Sequence, residues 1–108
     1  MKLFVATILV MSVLSYVTPL VAADAAAGKE LYGKKCASCH GAAGEGKDSV
    51  AKMFKVEMRH LGAKEVQSKS DADLKKLTLE GTGKMKGVKD LDAKGADDIV
   101  TYMRTLKK

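Results

Sequence analysis

Tryptophan is absent from this chain, proline occurs once, cysteine and histidine twice each, and the aromatic residues are three tyrosines and two phenylalanines. Each scarcity closes a possibility. Beyond position 23 only Tyr32, Phe54 and Tyr102 are aromatic, so the apolar core is thin. A small domain with a thin core usually needs a staple or a cofactor, and a large flat cofactor would supply the missing apolar bulk. A closed zinc site would need four ligands, yet there is no second C-x-x-C and no H-x-x-x-H string. Strand-like alternation is missing, which removes the βαβ setting of a thioredoxin-like dithiol. With no internal repeat, low-complexity block or long linker, the length of 108 residues points to one small domain.

What is present begins with a leader pattern. Lys2 is the only charge in the first 23 residues, Leu3 to Leu14 is apolar apart from Thr7 and Ser12, and Pro19 precedes the small residues of Val21-Ala22-Ala23. That order predicts a secretory signal over residues 1–23, cut between Ala23 and Asp24, with residues 24–108 as the mature domain. The competing expectation is a retained membrane anchor, since a span needs about 20 apolar residues; Ser12, Ser15, Thr18 and Pro19 weaken it. The full chain carries 19 basic and 13 acidic residues, a net charge of +6. A basic surface suits an acidic protein partner, an anionic membrane or nucleic acid, and export argues against nucleic acid.

The mature part reads as short helices joined by Gly- and Lys-rich loops, an all-α expectation. A first helix is predicted from Asp24, as its cap, to Cys39, with Gly28, Leu31, Tyr32 and Lys35 on one face and Gly41 as its stop. A short helix is expected over 50–55. Another should start at Ser70 in a capping-box pattern and run to about Glu80, with Leu74 and Leu77 inward. Three glycines between Gly81 and Gly87 predict an irregular loop. The last helix is predicted from Ala93 to Leu106, with Ala96, Ile99, Val100, Met103 and Leu106 as its apolar stripe.

The chemistry concentrates in Cys36-Ala37-Ser38-Cys39-His40. Two thiols at this spacing can add to the two vinyl groups of a haem, and the adjacent imidazole is then placed to ligate the iron, so C-x-x-C-H is the attachment signature of c-type haem. A disulfide between Cys36 and Cys39 is compatible with export but leaves His40 without a role. For the second axial position Met85, in the Gly-rich segment, is the candidate on the logic of Met/His cytochromes, and His60 is the rival. Met53 and Met58, near Phe54, are expected to line the haem pocket as adaptable packing.

With these residues in place, the mature chain resembles the small single-haem class I c-type cytochromes. The resemblance rests on the attachment motif at the end of a first helix, on Gly28 and Tyr32 eight and four residues before Cys36, on Met85 in a Gly-rich segment, and on Ile99 and Tyr102 in a C-terminal helix. It implies first and last helices crossing near Gly28, with Tyr32, Ile99 and Tyr102 packed around the contact. It departs from the family in having Lys86 where a proline often follows the ligand methionine. No proline follows Pro19 either, so another backbone carbonyl is expected to receive the proximal imidazole N–H.

The resulting expectation is a soluble, monomeric electron carrier rather than an enzyme. It would hold one covalent haem c on Cys36 and Cys39, be ligated by His40 and Met85, and be exported, most simply to a bacterial periplasm. Its partners are expected to be redox proteins with acidic docking surfaces, met by Lys34, Lys35, Lys47, Lys84 and Lys86. The alternative is a ligand-binding or peroxidase-like haem protein with an open sixth site, for which His60 is the obvious distal acid–base group.

Overall fold

Residues 23–108 are described by the computed structural model; the predicted leader, apart from Ala23, lies outside the described residues. Asp24 starts the first helix, α1 (Ala25–Lys35), by accepting from the N–H groups of Ala26 at 2.8 Å and Ala27 at 3.4 Å. The predicted continuous helix to Cys39 is in fact two. Cys36, at φ −120° and ψ −35°, departs from helical geometry, and a single turn, α2 (Ala37–His40), follows before Gly41 ends it. Helix α3 (Asp48–Phe54) begins two residues earlier than expected, with Asp48 in its first turn, and stops at Lys55 in the left-handed region. A four-residue helix, α4 (Lys64–Gln67), was not predicted, because one turn is too short to carry a periodic signal. Helix α5 (Asp71–Glu80) starts as expected, with the Ser70 hydroxyl accepting from the Asp73 N–H at 3.1 Å. Helix α6 (Ala93–Arg104) is capped by Asp92, which accepts from the Gly95 N–H at 2.7 Å.

The segment predicted as an irregular loop is instead the only sheet among the described residues. It is a minimal antiparallel hairpin, β1 (Gly81–Thr82) and β2 (Met85–Lys86), with Thr82 opposite Met85. The glycines that argued against a strand are what permit the hairpin. Gly83, at φ +54°, opens the two-residue turn, a position that favours a residue without a Cβ. The hairpin is pinned at both ends. Val88 N–H donates to the Thr78 carbonyl at 2.9 Å, and Lys84 Nζ reaches the Phe54 carbonyl at 2.9 Å.

Helices α1 and α6 make the main packing contact, as the resemblance implied. A Cβ on Gly28 would overlap the backbone carbonyl of Asp98, so only glycine lets the two backbones come this close. One turn on, the rings of Tyr32 and Tyr102 meet edge to face, centroids 5.2 Å apart. Leu74, Ile99, Val100 and Met103 form the core, with Leu31, Cys36, Leu61, Val66 and Leu91 packed around it. Arg104 clasps the connection between α4 and α5. It donates to the carbonyls of Gln67 and Lys69, each at 2.7 Å, and to Asp71 Oδ1, also at 2.7 Å.

Candidate functional site

The C-x-x-C-H motif occupies the break between α1 and α2 and the turn after it. The Cys36 carbonyl accepts from the N–H groups of Cys39 at 3.2 Å and His40 at 2.9 Å, which winds the motif into one helical turn. Positions i, i+3 and i+4 then lie on one side, bringing Cys36, Cys39 and His40 together. Both cysteines are half-buried free thiols. Burial, reinforced by the neighbouring Cys39, pushes the Cys36 thiol up to about 11. The following loop is tied back to this turn, with Gly46 N–H on the His40 carbonyl at 2.6 Å and Lys47 N–H on the Cys39 carbonyl at 3.0 Å.

Cys36 and His40 face a cavity of about 140 Å³ whose walls are almost wholly apolar. Leu61, Val66, Leu74, Leu77, Ile99 and Met103 supply its aliphatic walls, and Met85 joins them from the hairpin. The fold therefore brings His40 and Met85 to one cavity from segments far apart in sequence. Cys39 lies one turn from Cys36 but is not itself a wall. His60 is also outside the cavity. Its Nδ1 accepts from the Gly62 N–H at 2.8 Å, folding the ring onto its own loop. Met58, expected in the pocket, is half-buried but outside it, and Met53, also expected there, and the adjacent Phe54 are exposed at 68% and 41%. Met53 and Phe54 sit at the end of α3, where Lys55 turns the chain out of the helix, and the cavity is filled from α5 and α6 instead.

Five of the walls were not foreseen: Leu61, Val66, Lys69, Thr78 and Thr82. Thr78 follows Leu74 by one turn of α5 and so shares its inward face; its hydroxyl donates to the Leu74 carbonyl at 2.8 Å. Lys69 closes the cavity from the connection that Arg104 holds. The i, i+4 spacing could have found Thr78, whereas Lys69 carries no sequence signal of its own.

Burial lowers the pKa of His40, so the imidazole is neutral near pH 7 and retains a lone pair for a metal. Its Nδ1 is buried and has no hydrogen-bond partner. The expected substitute carbonyl is therefore not there. In the following loop, the Gly41 carbonyl already accepts from the Tyr32 hydroxyl at 2.6 Å and the Gly44 N–H at 3.2 Å, and the Gly44 carbonyl accepts from Leu61 N–H at 2.8 Å. Buried unpaired nitrogens are rare and costly. A neutral imidazole not held by the protein, a thioether at the same apolar cavity and two free thiols on one helical turn form a donor set that fits a covalently attached haem. No group of three or more His, Cys, Asp and Glu side chains converges elsewhere among the described residues to suggest another metal site.

The family described as cytochrome c oxidase, cbb3-type, subunit III matches residues 23–103. The chain belongs to this family of c-type cytochromes. Cytochrome c-554(547) of Halothiobacillus neapolitanus is 36% identical over 92 residues, covering 80% of this chain and all of that one. The solved KustC0563 c-type cytochrome superposes with a TM-score of 0.63 at 27% identity, over 75% of this chain and 98% of its own. The protein is thus a small class I c-type cytochrome that binds haem c covalently, and members of this family carry electrons. Among the described residues of the cytochrome, no helix is long and apolar enough to cross a membrane.

Proposed function

We propose that this cytochrome is an exported, one-electron carrier whose haem is bonded to Cys36 and Cys39 and ligated by His40 and Met85. The observation that carries this reading is that His40 and Met85 share one apolar cavity while His60 stands outside it. When bound, the haem supplies an iron centre that changes oxidation state by one electron. The chain's own residues do the rest. Cys36 and Cys39, on one turn, fix the group in place, and His40, neutral because it is buried, offers a nitrogen. Met85 offers a soft thioether, which favours the reduced iron and raises the potential. The apolar walls exclude water, which also favours the less charged state. His40 and Met85 would hold the iron between them and leave no site for a substrate, which supports a carrier over an enzyme.

The leader is cut between Ala23 and Asp24, the domain over 24–108 is released into the periplasm as a monomer, and acidic redox partners dock on its exposed lysines. Carbon monoxide tests the ligand assignment against the open-site alternative. The reduced wild type should not bind it. Met85→Ala should bind it readily and show a lowered potential, while His60→Ala should behave as wild type. Rapid binding by the wild type would mean an open sixth site, and binding by the His60 variant alone would transfer the ligand role to His60.

A further inference from the structure

Asp98 is a carboxylate that electron transfer does not use. Its side chain is 4% exposed, at the point where α6 crosses the start of α1. Each oxygen has one donor. Oδ2 pairs with Lys94 Nζ at 2.8 Å, and Oδ1 accepts from the backbone N–H of Asp24 at 2.8 Å. That second donor belongs to the residue at which the proposed leader cut leaves a new chain end.

We propose that Asp98 is the counter-ion of the mature N-terminus, so that removal of the leader creates a part-buried ion pair locking α1 onto α6. The inference rests on the proposed cut between Ala23 and Asp24. A leader peptidase hydrolyses that peptide bond. The water's hydroxyl goes to the Ala23 carbonyl carbon, and the Asp24 nitrogen leaves as an amine that takes up a proton near neutral pH. The nitrogen that donated as a neutral amide then carries a positive charge beside the same carboxylate oxygen. Hydrogen bonds between two ionised groups are roughly twice as strong as neutral ones.

The surroundings favour this arrangement. An ammonium at the start of a helix opposes the helix dipole, and a carboxylate held against it offsets that cost. Asp98 also places its backbone carbonyl on Gly28, so one residue engages α1 both at its first turn and at its chain end. The charged groups around the pair are Asp24 from α1 and Lys94 from α6, with Asp92 at the α6 cap acting on Lys94. Asp98 is held below the usual carboxylate range, first by its bond from Lys94 and then by the Asp24 N–H.

Two pH limbs follow. An α-amine raised above its ordinary value of about 7.7–8.0 contributes stability in full below that value, and the contribution disappears as pH rises through the folded-state value. Asp98, with its pKa lowered, contributes above the ordinary carboxylate range and loses that contribution as pH falls through its folded-state value.

The experiment uses holoprotein exported with its native leader. Intact mass gives the start of the chain, and the α-amine is then titrated by its rate of acylation in a pH series. We expect a start at Asp24 and an α-amine raised by about one unit, labelling roughly tenfold more slowly near neutral pH than an unpaired amine. In Asp98→Asn the amine has lost its counter-ion and should titrate lower than in the wild type and label faster. If that variant does not accumulate as holoprotein, the wild-type titration alone decides. A native start at another residue overturns both the cut and the pair. A start at Asp24 with an amine in the ordinary range overturns the pair and leaves the cut standing.

Discussion

Tyr32 shows how a single side chain serves the site, lining the cavity and holding the loop that follows His40. It is 2% exposed and caps the contact with Tyr102, while its hydroxyl reaches the Gly41 carbonyl immediately after His40. Burial is the main reason its pKa is pushed up to about 12, with Cys36, Tyr102 and Glu45 adding to it, so the hydroxyl stays a donor throughout the physiological range. Tyr32→Phe keeps the ring and removes the donor. It should cost about 1 kcal/mol and little more, because Gly44 N–H still bonds the same carbonyl. Chemical denaturation of the holoprotein would measure the loss, and the oxidised and reduced spectra should be unchanged. A loss near zero would mean the bond contributes nothing net; a changed spectrum would mean that Tyr32 sets the position of His40 as well as the fold.

At the scale of elements, the crossing of α1 and α6 is the contact on which the fold depends most. Gly28→Ala improves helix propensity by about 1 kcal/mol, yet the new methyl meets a backbone carbonyl that belongs to a buried helix and cannot simply swing away. Overpacking of this kind costs about 1–3 kcal/mol, so the net effect should be destabilising, with a lower thermal midpoint. A stabilised variant would mean that the helices can slide apart at little cost.

This crossing was anticipated through the family resemblance, which rests on residue type: one glycine, one tyrosine a turn later, and a periodic apolar stripe on α6. The capping residues Asp24 and Ser70 were legible from residue type alone. What escaped was set by tertiary contact. Cys36 breaks the first helix although nothing in its neighbourhood forbids helix. The 81–87 segment closes as a hairpin because Val88 and Lys84 are anchored to α5 and α3, partners that local composition does not reveal. Met53 and Met58 read as pocket residues by their nearness to Phe54, yet neither lines the cavity, and the left-handed turn at Lys55 leaves Met53 exposed. Of the site itself, the attachment motif could be read directly, and Met85, named from the sequence, lines the same cavity as Cys36 and His40. The unpaired Nδ1 of His40 was not legible, since it depends on which carbonyls the Gly41–Gly44 loop has already committed.

At the scale of the whole molecule, the net charge of +6 on the full chain is carried in part by Lys34, Lys35, Lys47, Lys84 and Lys86, all of them exposed. These flank the two segments that hold His40 and Met85. Electron transfer to an acidic partner protein should therefore slow as salt is added, because charges beyond about 8 Å are screened at physiological ionic strength. Stopped-flow rates over a salt series would show it, and a rate indifferent to salt would reduce these lysines to solubilising charge.

The central claim is that the hairpin methionine and the motif histidine complete the coordination of one covalent haem. The oxidised absorption spectrum of the purified holoprotein tests it most directly, since a sulfur-ligated ferric haem has a sulfur-to-iron charge-transfer band. The account predicts that band in the wild type, its retention in His60→Ala, and its loss in Met85→Ala with the haem still attached through Cys36 and Cys39. A wild-type spectrum without the band, or a Met85→Ala spectrum that keeps it, would contradict the account.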